Sequence, residues 1–394
     1  MAGVEKLMCR HLALWQRCEG KRRPGGRRYS SREQARRESD AGTFLRAAES
    51  RLASNSQDAE SAILQAFAMF ARAALDLDDA HLELLVEGFP KLARGLAEQA
   101  RRFDPQLSAA DIFQASRNVW TAAGLQMLLG QPLELTPAIF AYSMLYPYTD
   151  NFLDDPHTPA RAKSAFNGRL RARLRGESAP PADPRECKVW ALVDRIESQY
   201  DRQRHPDVFR SLLAIQTAQE DSVGLRRNAG LPPDRVLHGV FAKGGTSVLA
   251  DGYLAAGRLT PEQREFAFGW GILLQLADDL QDVAEDVSTG TATLFSAGCE
   301  PLDTLTNRVF EFGECVFRGL SAFPAPRAAA LKKLIRHSAA SLLITAAGAA
   351  HELYSRAYIQ ELERHSPFRF GFVREHRPYF YGSGGLVGRC VAAL

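Results

Sequence analysis

The chain has 394 residues, 45% of them hydrophobic and 24% charged, with a net charge of +3. That is the composition of a globular protein with ample material for a core, and the near-neutral balance argues against nucleic-acid binding by the chain as a whole. No run reaches the roughly 18 apolar residues of a spanning helix, no apolar stretch precedes a cleavage site at the N-terminus, and the six cysteines show neither a Cys-x-x-Cys pair nor zinc spacing, so a cytoplasmic protein with reduced thiols is expected.

Residues 1–42 read as a basic extension. Eleven Lys/Arg face three acids up to Arg37, and Pro24-Gly25-Gly26 interrupts any helix. Three readings stay open: a disordered tail or over-extended start, a surface for anionic lipid or nucleic acid, and a transit peptide. From Ala41 helical patterns dominate. An amphipathic helix is expected over 59–77, a second capped near Asp79 and running to about Gly88, and a third over 90–102. Ser108 with Asp111 three residues on predicts the start of a helix through Leu129, ended by Gly130-Gln131-Pro132. Thr136-Pro137 gives an N-cap followed by proline at the first helical position, opening a helix to about Asp155 with Pro147 inside it. Further helices are expected over 186–203 and 206–228, and from Asp234 with a break at Gly244-Gly245. Thr260-Pro261 opens another, to about Asp286, and two or three more reach about Glu363. Residues 365–394 read as a tail rich in aromatics, Arg and Gly. No strand-rich block appears, so the expected class is all-α: one large helical bundle over 43–364.

Two aspartate clusters carry the chemistry. Asp150 and Asp154 stand four apart, with Asp155 adjacent. Asp278, Asp282 and Asp286 repeat every four, with Asp279 beside the first. Spacing of four stacks carboxylates on one helix face, where like charges repel. A multivalent cation removes the conflict, and Mg²⁺ commonly takes one or two carboxylates plus substrate phosphates. Behind the first cluster the same face carries Tyr146 and Ser143. Behind the second it carries Gln275, Leu274 and Gly271. Two such helices side by side predict a central apolar pocket with an acidic mouth, matched to a hydrocarbon that ends in a diphosphate.

The segment Asp150-Asn151-Phe152-Leu153-Asp154, taken with Gln275-Leu276-Ala277-Asp278-Asp279-Leu280-Gln281-Asp282, resembles the class I isoprenoid synthase superfamily over roughly residues 109–295. That superfamily includes trans-prenyl diphosphate synthases, squalene and phytoene synthases, and terpene cyclases. Lys243-Gly244-Gly245-Thr246-Ser247 resembles its diphosphate-facing broken helix, and Arg377-Pro378-Tyr379 weakly resembles a late cyclase element. The resemblance implies an isoprenoid-synthase bundle and a Mg²⁺-dependent enzyme with two or three ions. Asp150, Asp154, Asp278 and Asp282 would be the catalytic carboxylates, and Asp155, Asp279 and Asp286 further metal ligands. Lys243, Arg226, Arg227 and Arg117 would meet the diphosphate of a prenyl substrate. Asn151 stands where a chain-elongating synthase usually has aspartate, and no Gly-Gly-Lys-Arg stretch precedes the first motif. The expected reaction is therefore ionisation followed by cyclisation or another conversion of the cation. The alternatives are a prenyltransferase (chain elongation or squalene/phytoene-type condensation) and, outside catalysis, a helical isoprenoid-lipid binder. The resemblance also implies a homodimer, and the basic extension leaves peripheral membrane contact open.

Overall fold

The computed structural model describes residues 2–21, 25–54, 59–226, 232–298, 300–324, 328–380 and 385. These residues contain helices and no strand, so the all-α expectation holds. In chain order the helices are α1 Ala2–Arg17, α2 Ser31–Ser54, α3 Ala59–Ala74, α4 Asp79–Leu82, a π-helical turn Glu83–Gly88, α5 Phe89–Phe103, α6 Ala109–Leu128, α7 Pro137–Asp154, α8 Ala160–Arg175, α9 Pro184–Gln199 and α10 Pro206–Arg226. They continue as α11 Pro233–Ala256, α12 Pro261–Gln281, α13 Val283–Thr289, α14 Leu302–Arg318, α15 Ala328–Ala349, α16 Arg356–Glu363, α17 Phe370–Glu375 and α18 Arg377–Phe380. Among the described residues no helix is long and apolar enough to cross a membrane.

The chain divides into two compact units. The first comprises Met1–Arg23 and Arg117–Ala329, the second Pro24–Ser116 and Ala330–Leu394. Both acidic clusters belong to the first.

The first unit is built around α11 and α12. α12 buries an unbroken run from Phe266 to Leu273; a helix apolar on every side belongs in the interior. α11 packs along α12 and α10, and α7 packs on α9 and α11. The expected break at Gly244-Gly245 does not occur: α11 is continuous from Pro233 to Ala256. The glycines serve a close approach instead. A Cβ on Gly271 would lie 2.0 Å from the Gly244 carbonyl oxygen, and one on Gly245 would lie 2.6 Å from the Phe268 ring. Only hydrogens at these positions let the two backbones touch.

Within the basic extension residues 2–17 form α1, so the disordered-tail reading does not hold for them. Leu7, His11 and Trp15, spaced four apart, lie on its buried face, and the buried Cys18 follows the helix end. Trp15 meets the edges of Phe241 and Phe312 at 5.9 Å. Lys6, Arg10 and Arg17 sit on the exposed side. The high basic content masked an ordinary amphipathic stripe.

In the second unit, Phe44 stacks on Phe70 at 5.0 Å and Phe70 on Phe368 at 6.3 Å. Ala41, Leu45, Ala48, Ile63 and Ala74 belong to the same cluster. Glu38 is held by the Arg369 backbone N–H at 2.7 Å and by the Arg369 guanidinium. The expected tail from His365 thus begins as structured polypeptide. Arg377 opens α18, and Tyr379 packs against the Phe44 cluster.

Candidate active site

α12 begins as its sequence predicts: the Thr260 hydroxyl accepts from the Gln263 N–H, and the Gln263 side chain accepts from the Thr260 N–H at 2.9 Å. Its far end carries the second acidic cluster. Asp278 is 40% exposed, and its Oδ1 takes a hydrogen bond from Arg117 Nη2 at 2.8 Å. The Asp279 carboxyl turns inward. Gln275 Nε2 donates to Asp279 Oδ1 at 2.8 Å, while Oδ2 is buried with no hydrogen-bond partner. α12 then ends, one turn earlier than expected. Asp282 has φ −95° and ψ 1° and separates α12 from α13. Asp278, Asp282 and Asp286 therefore do not form one continuous helical stripe. All three nevertheless line a single cleft of about 280 Å³, with Asp279, Gln275 and Lys243.

α7 is capped by Thr136, whose Oγ1 accepts from the Ile139 N–H at 3.3 Å, and it runs through Pro147 to Asp154. Asp150 is half-buried and accepts from Gln219 Nε2 at 2.9 Å. Asp154 is exposed at the last turn. Asp155 ends the helix and is occupied by the following turn. Its side chain accepts from the His157 N–H at 2.9 Å and the Thr158 hydroxyl at 2.7 Å. Those hydrogen bonds, the Thr158 hydroxyl foremost, hold its pKa below the usual carboxylate value.

Near Asp150 lies a small, largely apolar cavity of about 30 Å³ lined by Tyr142, Leu145, Tyr146, Leu212, Ile215 and Gln219. That is room for a water or two, not for a prenyl chain. Gln219 reaches this cavity, and Ser222, one turn along α10, reaches the acidic cleft. α7 and α12 each pack on α11. Of the expected pocket residues, Tyr146 lines the cavity and Gln275 the acidic cleft. Ser143 is fully buried, Gly271 is taken up by the contact with Gly244, and Leu274 is half-buried on α12.

Among the expected diphosphate cations, Lys243 faces the acidic cleft and Arg117 sits on Asp278. The Arg226 side chain and all of Arg227 lie outside the described residues. The aromatic rings near the first cluster face other cations: the Arg195 guanidinium lies 4.7 Å from the Phe140 ring centre, and the Arg185 guanidinium 3.6 Å from that of Phe152.

Sequence reasoning missed a buried polar set. Asn118 Nδ2 donates to both Ser143 Oγ and Asp251 Oδ1 at 3.0 Å. Tyr146 and Ser247 share a hydrogen bond of 2.7 Å. Asp251 is 1% exposed, and burial drives its pKa well above the carboxylate range against the opposing Asn118 hydrogen bond. An isolated aspartate inside an apolar helix was the available signal.

Burial likewise lifts Asp279 from an ordinary 3.8 to about 7; repulsion from Asp278 and Asp286 adds to the rise, and the Gln275 hydrogen bond and Lys243 oppose it. The folded protein therefore holds this proton more tightly than the unfolded chain. The associated stability is complete below about pH 4 and is lost as pH rises through about 7. Asp279→Asn removes the buried charge, so its melting temperature is expected to exceed that of the native protein at pH 8 and to match it at pH 4. The difference has an upper bound of about 4 kcal/mol. Thermal unfolding at the two pH values checks this.

The fold and site define an all-α protein with a carboxylate-lined cleft and an apolar cavity in one unit. No family model matches the chain, and no curated protein matches it. Among solved structures, the crystal structure of geranylgeranyl pyrophosphate synthetase from Pyrococcus horikoshii Ot3 is similar to it at 12% identity and a TM-score of 0.35, covering 73% of this chain and 98% of that one. At that level the similarity assigns no activity.

Proposed function

We propose that the chain is a Mg²⁺-dependent enzyme that ionises an allylic prenyl diphosphate and then cyclises or otherwise converts the cation. The observation that carries this reading is the cleft at the end of α12. Asp278, Asp279, Asp282 and Asp286 line it together with Lys243, and the aspartates belong to the motif that resembles the class I isoprenoid synthases.

The donors suit Mg²⁺, being hard carboxylate oxygens, and Asp279 Oδ2 is buried without a hydrogen-bond partner. Among the described residues no three His, Cys, Asp or Glu side chains form a metal-binding group. Magnesium sites commonly combine one or two carboxylates with substrate phosphates, so the cleft fits an ion shared with a diphosphate. When bound, Mg²⁺ would neutralise the departing diphosphate. Lys243 would add a fixed positive charge on the same side. Arg117, which pairs with Asp278, would exchange that carboxylate for a phosphate oxygen. Tyr146, Leu212 and Ile215 would shield the hydrocarbon end from water once the cavity opens to admit it.

A condensing prenyltransferase is the second reading, favoured by the four-residue separation of Asp150 and Asp154, which also fits the squalene/phytoene pattern. The test is incubation of the purified protein with Mg²⁺ and geranyl, farnesyl or geranylgeranyl diphosphate, each with and without isopentenyl diphosphate. Products are read by mass spectrometry and diphosphate release. A hydrocarbon or alcohol from one allylic substrate is the expected result. A dimeric C30 or C40 product from farnesyl or geranylgeranyl diphosphate would establish condensation instead. A longer diphosphate formed only with isopentenyl diphosphate would establish elongation. Absence of diphosphate release from every substrate would overturn activity on these three and favour a longer or unusual prenyl substrate, or a lipid binder.

A further inference from the structure

The turn after α7 contains a buried cation that the proposed chemistry does not use. Lys163, in the first turn of α8, is 5% exposed. Its Nζ donates to the Leu153 carbonyl oxygen and, at 2.7 Å, to that of Asp155. Both carbonyls belong to the C-terminal end of α7, where the last peptide oxygens have no partner within the helix. That end also carries the negative pole of the helix dipole, and Asp150 and Asp154 add carboxylates within its last two turns. Without a nearby cation, the backbone and side-chain charges would repel. The ammonium of Lys163 meets two of the carbonyls and supplies the opposite charge from inside. On the outer side, Asp155 closes the turn through His157 and Thr158.

We infer that Lys163 is a positioning residue: it fixes the last turn of α7 so that Asp150 and Asp154 are presented for a metal–diphosphate ligand. The inference rests on the reading of the acidic clusters given above. It assigns Asp155, expected from the sequence as a metal ligand, to the same positioning element. Arg161 supplies the comparison. It lies two residues away on α8 and is exposed, so removing its charge leaves the α7 terminus as it is.

The experiment uses the full chain with Mg²⁺ and inorganic diphosphate as probe. Calorimetry measures the dissociation constant, and hydrogen exchange measures protection of the Asp154 and Asp155 amides. Lys163→Met is expected to weaken diphosphate binding at least tenfold and to lose that local protection while its helical circular dichroism is retained. Arg161→Met is expected to stay within twofold of the native protein. A folded Lys163→Met protein that binds within twofold of native overturns the inference, as does retained protection at Asp154 and Asp155. If Lys163→Met does not fold, Lys163→Gln, which keeps an N–H donor while losing the charge and one atom of reach, is judged by the same criteria. Failure of the native protein to bind Mg²⁺ and diphosphate would overturn the functional reading, and the positioning role with it. Failure of the lysine variants alone to differ from native would overturn only the positioning role.

Discussion

Asp278→Ala and Asp150→Ala are each expected to reduce diphosphate release at least about a hundredfold, the scale on which metal-site groups matter, while leaving a folded helical protein. Asp278 is 40% exposed, and its ion pair with Arg117, itself 61% exposed, is screened by solvent; such a pair is worth at most about 1 kcal/mol. Asp150 is half-buried, and Gln219, which donates to it, loses one acceptor in the alanine variant. Neither replacement opens the apolar core. Glu262, exposed in the first turn of α12, provides a control of like charge: Glu262→Ala is expected to retain full turnover. Steady-state kinetics at saturating Mg²⁺, with circular dichroism on the same samples, decides the matter. Near-native rates in both aspartate variants would remove the metal-site assignment.

The largest expected effect on stability comes from a residue with no side chain. Gly271→Ala places a methyl 2.0 Å from the Gly244 carbonyl oxygen and 3.1 Å from Val248 Cβ. The obstacle is backbone, which cannot rotate away as a flexible side chain would, so α11 and α12 must separate. Overpacking a core typically costs about 1–3 kcal/mol. Here the clash also opens the most extensive helix contact of the first unit, so about 3 kcal/mol or more is expected, measured by urea unfolding. Gly168→Ala, on α8 with open space where the methyl would go, is expected to be neutral or slightly stabilising, because alanine favours helix. A Gly271→Ala protein as stable as the native one would show that the two helices do not meet as described.

These two predictions draw on different sources of information. The reading of Asp278 was available from spacing: carboxylates four apart in an apolar helical context conflict unless something cationic resolves them. The reading of Gly271 was not. From the sequence, Gly244-Gly245 marked a helix break and Gly271 a pocket wall, since a glycine signals either backbone freedom or close approach, and local sequence does not distinguish them. Only the neighbouring helix shows that approach is the reason.

The same division runs through the rest of the molecule. The sequence by itself determined the all-α class, the capped starts of α7 and α12 at Thr136-Pro137 and Thr260-Pro261, and the acidic clusters near the ends of those helices. Each depends on residues within one or two turns of each other. Tertiary structure decided what depends on distant partners. It turned the basic N-terminus into a packed helix, because Trp15 has Phe241 and Phe312 to meet. It ended α12 at Asp282, dividing a periodic row of aspartates between two helices that line one cleft. It buried Asp251 beside Asn118 and Lys163 beneath the end of α7, where their hydrogen-bond partners lie far along the chain or across a turn. Periodicity and capping are short-range properties written into neighbouring residues. Burial, close backbone approach and shifted ionisation arise from the field and volume of groups that the sequence alone does not bring together.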